Sequence, residues 1–196
     1  MMTHLNRRHF IAAGAALAAM PAMPALALTG QQAANLVHNL VNEINTVIAS
    51  GKSEASMYRE FERLFKKYGD TPLIAANVLG VAGRSASNAQ RKAFTEAFTG
   101  YIARKYGKRF REFQGGRIEV QSVHAISRGY EVRCVAHMSG SKTLETAFRV
   151  SDSNRFYNLF VEGADMLLSE KEEIGAMLDA RRGNIDQLIA DLRRAG

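Results

Sequence analysis

Cysteine is nearly absent from this chain of 196 residues: Cys134 stands alone, so no intramolecular disulfide can form. Beyond the N-terminus no apolar stretch approaches the roughly 18 residues expected of a membrane-spanning helix. No HExxH, CxxC or His-x-His spacing is present, which removes the common metal-site patterns. Apart from Glu170 to Glu173, acidic residues are isolated, with no pair whose surroundings would split their pKa values for acid–base work. There is no internal repeat and, after the first residues, no low-complexity segment. Charge of one sign is not concentrated either. The formal net charge of +7, falling to about +5 without Arg7 and Arg8, comes from scattered Arg and Lys. Such a surplus suits attraction to an anionic lipid surface or an acidic partner. With no aromatic–basic RNA-binding motif, it does not suit nucleic acid.

The N-terminus reads as an address. Asn6-Arg7-Arg8-His9-Phe10-Ile11 leads into an Ala-rich apolar run to Met20, and Ala25-Leu26-Ala27 supplies a small-x-small cleavage site. The Arg pair followed by Phe-Ile resembles a twin-arginine export signal, which carries a chain across a bacterial inner membrane already folded. A membrane anchor is the alternative, but the run is short and is interrupted by Pro21 and Pro24. The expectation is cleavage after Ala27, with residues 28–196 forming one domain. A protein folded before export has no need of a disulfide in an oxidising compartment.

The mature chain opens helically. Thr29 precedes an i, i+3, i+4 series through Leu36, Leu40, Ile44 and Ile48, closed by Gly51. A second helix runs from Ser53 to Tyr68, with Gly69 stopping it. Thr71 and Pro72 start a third, whose Leu73–Ala82 run is almost wholly apolar; such a helix is buried all round or lines a cavity. Ser87-Asn88-Ala89-Gln90 has capping-box spacing for the central helix. Its Phe94, Ala97, Phe98, Tyr101 and Ile102 fall within an arc of roughly 140°. That aromatic face packs the protein's own core or encloses a ligand, and periodicity alone does not choose. A break is expected near Gly107, because Phe110 and Phe113 fall on another arc.

After residue 114 the period switches to two. Arg117–Ser127, Gly129–Ser139, Thr143–Ser151 and Phe156–Val161 read as strands joined by short links, an antiparallel meander. Glu162-Gly163 ends it. A helix with Met166, Ile174 and Met177 follows, with Glu170 to Glu173 reading as its solvated face. Asn184 with Gln187 caps a last helix. The layout is α+β, with a helical part at 28–114 and 163–196 and a sheet part at 116–162.

Candidates for covalent chemistry are few. Cys134 lies mid-strand on an apolar face, where an inert buried thiol is expected. Ser139-Gly140-Ser141-Lys142 reads as a turn, and Gly80-Val81-Ala82-Gly83 follows no strand and is no dinucleotide loop. An enzyme on such a sheet would need a polar cluster in its interior, for which only His124, His137 and Tyr130 offer themselves. What remains in excess is oil, on the helices and the sheet.

Ser87-Asn88-Ala89-Gln90-Arg91, leading to Phe94, Phe98, Tyr101 and Tyr106-Gly107, resembles the MlaC family of periplasmic phospholipid-binding proteins. So does Phe156-Tyr157-Asn158-Leu159-Phe160-Val161-Glu162-Gly163, running into Met166, Ile174 and the 183–189 segment. The likeness covers nearly the whole mature chain, in order and spacing. It implies a helical lobe packed on a four-stranded antiparallel sheet, a cone-shaped mixed fold enclosing a hydrophobic cavity for acyl chains. It implies a periplasmic, non-enzymatic, monomeric carrier with no cofactor, no metal and no catalytic residues. Phospholipid would be its cargo, moved between an outer-membrane lipoprotein complex and an inner-membrane ABC transporter to maintain outer-membrane lipid asymmetry. A non-lipid-binding adaptor, or an enzyme, is the alternative. Expected cavity-lining residues are Leu73, Ile74, Val78 and Leu79 from the third helix and Phe94, Phe98, Tyr101 and Ile102 from the central one. Met138, Phe148 and Phe160 would line it from the sheet, and Met166 and Met177 from the following helix. The chain departs from the family pattern in having no tryptophan, in Asn158 where an aspartate is common, and in Asp165 where a serine is usual.

Overall fold

The computed structural model describes residues 28–108, 117–138 and 142–195. The expected export signal at 1–27, Phe110, Phe113, the 114–116 stop and the 139–141 turn lie outside the described residues. Most helices begin where a short polar side chain can take up free amides. The Thr29 hydroxyl accepts from the Gln32 amide, and the Gln32 side chain accepts from the Thr29 amide, closing a capping box on α1 (Gly30–Ala49). Ser87 and Gln90 repeat the device on α5 (Asn88–Gly107). Between them run α2 (Glu54–Tyr68), α3 (Thr71–Leu79) and the single turn α4 (Ala82–Ser85). The cap of α3 is Asp70 rather than Thr71: its carboxylate accepts from the Leu73 amide at 3.2 Å, and Pro72 stands in the first turn. The helix is shorter than its apolar run, because Gly80 adopts φ 57° and ψ −131°, turning the chain away. Nor is it buried all round. Ile74, Ala75, Val78 and Leu79 face inward while Ala76 and Asn77 meet solvent.

The sheet is a meander in chain order: β1 (Arg117–Ile126), β2 (Gly129–His137), β3 (Thr143–Ser151), β4 (Arg155–Val161) and β5 (Ala164–Asp165), each antiparallel to the next. It therefore has five strands where four are expected. Glu162 (φ 49°) and Gly163 (φ 78°) are both left-handed, so the pair read as a breaker forms a tight hairpin instead, and Val161 pairs with Ala164. Two bulges keep apolar side chains on one face. At Gln121 the register slips by one, which leaves Ile118, Val120 and Val123 together. At Tyr157 a second slip pairs Phe148 with Leu159 but Val150 with Phe156.

Two apolar assemblies result. In the first, α1 and α2 cover the inner sheet face, with Val37, Leu40, Phe61 and Leu64 against Val132, Cys134, Phe148 and Val150. The second joins α3 and α5 to α6 (Met166–Ala180) and α7 (Ile185–Arg194), through Phe94, Phe98, Ile174, Leu188 and Leu192. Phe156 of β4 packs against both. Its carbonyl accepts from the Asp70 amide at 2.8 Å, and the neighbouring Arg155 guanidinium donates to the Lys66, Lys67 and Gly69 carbonyls at the end of α2. Buried Asn158 secures the start of α6. Its Oδ1 accepts from the Leu159 and Leu167 amides, and its Nδ2 donates to Asp165 at 2.9 Å. Asp165 in turn caps α6 through the Leu168 amide.

Two expectations follow from these ties. The Asp165 carboxylate is opposite an amide that donates to it, so Asn158→Asp would set two carboxylates against each other. It is expected to cost about 2 kcal/mol in urea unfolding, most of it recovered when Asp165→Ser is added. On α1, the Glu43 carboxyl is held down to about 2 by Lys67 and Tyr68 of α2, with Arg63 adding to the effect. A depressed carboxyl stabilises the fold above its ordinary value of 4.5 and loses that contribution as pH falls from there toward about 2. Glu43→Gln should flatten that part of the acid-unfolding curve by circular dichroism, at a cost under about 1 kcal/mol at neutral pH.

Candidate functional site

The expected lining residues divide between the two assemblies. Ile74, Val78, Leu79, Phe94, Phe98 and Tyr101 are buried in the helical one, and Ile102 and Met177 pack half-buried against it. The capping box fixes where α5 starts and hence which way its aromatic arc points. Phe94 and Phe98, one turn apart, stack with ring centroids 5.7 Å apart, and Phe98 lies 6.4 Å from Tyr101. Phe148 belongs to the other assembly, edge-on to Phe156 at 6.0 Å. Leu73, Met138, Phe160 and Met166 are half-buried and join neither cluster. Phe160 carries the Arg149 guanidinium 4.5 Å from its ring centre. Sheet and helix candidates thus meet across Phe156 rather than in one continuous cluster.

The three polar candidates for an enzyme do not converge. His124 is exposed and bonded to Ser122, while His137 lies beside Glu119. His124 pairs in register with Glu131, so His137 is six residues further along β2, about 20 Å at strand rise. Tyr130 turns the other way, onto the inner face with α1. Burial pushes the Cys134 thiol up to about 12, leaving it un-ionised at neutral pH. Among the described residues no three His, Cys, Asp or Glu side chains could hold a metal ion together, and no helix is long and apolar enough to cross a membrane.

One charged cluster adjoins the apolar side chains and was not legible as such. Glu170 is not on a solvated face. It is 4% exposed, and Lys105 of α5 donates to its Oε1 at 2.7 Å. The Tyr106 hydroxyl donates to the same oxygen. Lys105 also reaches Glu173, which takes the Tyr101 hydroxyl as well. The ammonium lies 5.4 Å from the Tyr101 ring centre and 5.5 Å from that of Tyr106. Burial opposes the Lys105 charge, yet the carboxylates of Glu170 and Glu173 outweigh it and raise its pKa. Burial, then the Glu173 carboxylate, push Tyr101 up to about 12. Among the described residues Glu170 Oε2 has no hydrogen-bond partner, which at such burial costs on the order of 1–3 kcal/mol. The i, i+3 spacing of Glu170 and Glu173 was the available signal, since it puts both carboxylates on one helix face.

The MlaC protein family model matches residues 38–194. In fold the chain is similar to the solved structure of a phospholipid-binding protein from Ralstonia solanacearum in complex with a phospholipid. The two superimpose with a TM-score of 0.71 over 83% of this chain and 95% of that one, at 14% sequence identity. No curated protein sequence matches the chain.

Removing one partner of a buried ion pair strands the other charge. Lys105→Met is therefore expected to lose about 3 kcal/mol in urea unfolding, and Lys105→Met with Glu170→Leu to regain most of it.

Proposed function

The chain belongs to the MlaC family, and from that premise we propose that it is a periplasmic phospholipid carrier that holds diacyl lipid by its tails. Members of this family are periplasmic, non-enzymatic lipid carriers. The observation that carries the proposal is the family match from the middle of α1 to the last turn of α7, on a fold shared with a protein solved with phospholipid bound.

The physics of the task supports the reading. Each methylene kept from water is worth about 0.8 kcal/mol, so two long tails cannot cross an aqueous space unshielded. A carrier needs an apolar cavity for the tails and an open mouth for the headgroup, and no bond-making chemistry. The tails would lie against the aromatic arc of α5, the inward side chains of α3 and α6, and the sheet side chains around Phe148. Methionines such as Met138, Met166 and Met177 adapt to varied chain shapes. Exchange would take place with an inner-membrane ABC transporter and an outer-membrane lipoprotein complex, the direction being set by those partners. The 1–27 segment would direct twin-arginine export and be removed after Ala27.

Native mass spectrometry after mild purification tests this. The expected result is a population carrying co-purified phospholipid. Phe98→Asp, or the half-buried Met177→Glu should Phe98→Asp not fold, is expected to abolish lipid retention. A folded variant with unchanged lipid content would count against this pocket. A native protein that neither retains lipid nor takes it up from vesicles would refute the carrier reading and favour an adaptor.

A further inference from the structure

The seam between α5 and α6 differs from the other helix contacts. α5 packs along α7 and α2, and α6 packs along α3, whereas the backbones of α5 and α6 barely approach each other. Long polar side chains span the space. Lys105 reaches both Glu170 and Glu173, Tyr106 reaches Glu170, and Tyr101 reaches Glu173. The same two helices contribute Phe98, Tyr101 and Ile174 to the helical apolar assembly.

On the carrier reading, we propose that this bridge is a latch, and that α5 and α6 part there to let acyl chains in and out. Three observations support it. First, the ties are hydrogen bonds and ion pairs, each of which water can replace when the helices separate, so opening loses little close packing. Second, the closed latch is not at rest: Glu170 is buried with Oε2 unpartnered among the described residues, and opening hydrates that oxygen. Third, the two ends of α6 are held differently. Its N-terminus is pinned to β4 and β5 by Asn158 and Asp165, and its second half is anchored by Ile174 and Leu178. Only the stretch between, with Glu170 and Glu173, is held to α5 by polar ties. α6 therefore opens by a small outward tilt about the end pinned to the sheet, a movement of the domain-hinge kind.

The test measures transfer of a headgroup-labelled phosphatidylethanolamine from phosphatidylglycerol vesicles to the full mature chain. Glu173→Ala cuts the exposed tie without stranding a buried charge, and is expected to speed transfer several-fold. For the converse, Lys105→Cys and Glu173→Cys are combined with Glu170→Gln and Cys134→Ala, and the new thiols are joined by a reducible bis-maleimide. Transfer is expected to slow at least tenfold when the helices are tied and to recover on reduction. The same protein serves as its own control for folding. Transfer at an unchanged rate with the helices tied overturns the latch while leaving the carrier reading intact. A native chain that takes up no lipid overturns both.

Discussion

The fold depends on how one strand residue is gripped from two sides. The Phe156 carbonyl receives the Asp70 amide at 2.8 Å, where α2 gives way to α3, and Gly69 bridges to the same residue. The Phe156 ring meets Phe65 of α2 at 5.8 Å and Phe148 of β3 at 6.0 Å, touching both apolar assemblies. Gly69 is required at this crossing, because a β-carbon there would sit 2.7 Å from the Phe65 carbonyl oxygen and 3.1 Å from the Phe156 ring. Arg155 adds charge-assisted bonds to the free carbonyls ending α2, the groups a helix C-terminus leaves unsatisfied. Together with the packing of α2 on α5 and the tie of Asn158 to α6, this crossing joins the sheet and its two covering helices to the four helices beyond.

Along α6 the attachments grade from polar at the sheet to apolar at the far end. The far end of α6 is buried among aliphatics on α7, its middle is bound through carboxylates, and its start is held by an amide and a carboxylate on the sheet. Asn158 and Asp165, two of the residues in which the sequence differs from the pattern it resembles, are bonded to each other. In this chain the strand partner is neutral and the helix-capping partner carries the charge. The start of α6 keeps an anionic cap, which suits the helix dipole.

Local signals were legible in the sequence and distant ones were not. The Ser87–Gln90 box involves residues three apart, and its consequence, the direction of the Phe94–Tyr101 arc, follows from helical period alone. Glu162-Gly163 was visible as the end of a strand, but whether the chain after it returns to the sheet depends on an edge supplied by β4. Glu170 is joined to Lys105 from 65 positions away, and without that partner its pattern is indistinguishable from a solvated face. Periodicity gives the face of an element and not the elements that face will meet, so Phe148 of β3 and Phe94 of α5 could not be assigned to separate assemblies from it. Fold class survives such errors because it needs only the order of elements. A site does not, because it is made where those elements cross.

The lone thiol also bears on where this protein works. Cys134 is 2% exposed on the inner sheet face, beneath α1 and α2, and carries its proton at any physiological pH. Oxidants and foreign thiols meet neither a thiolate nor an open path to one. Two copies meeting in an oxidising space cannot become covalently joined, and the folded chain needs no isomerase or reductant to keep it serviceable.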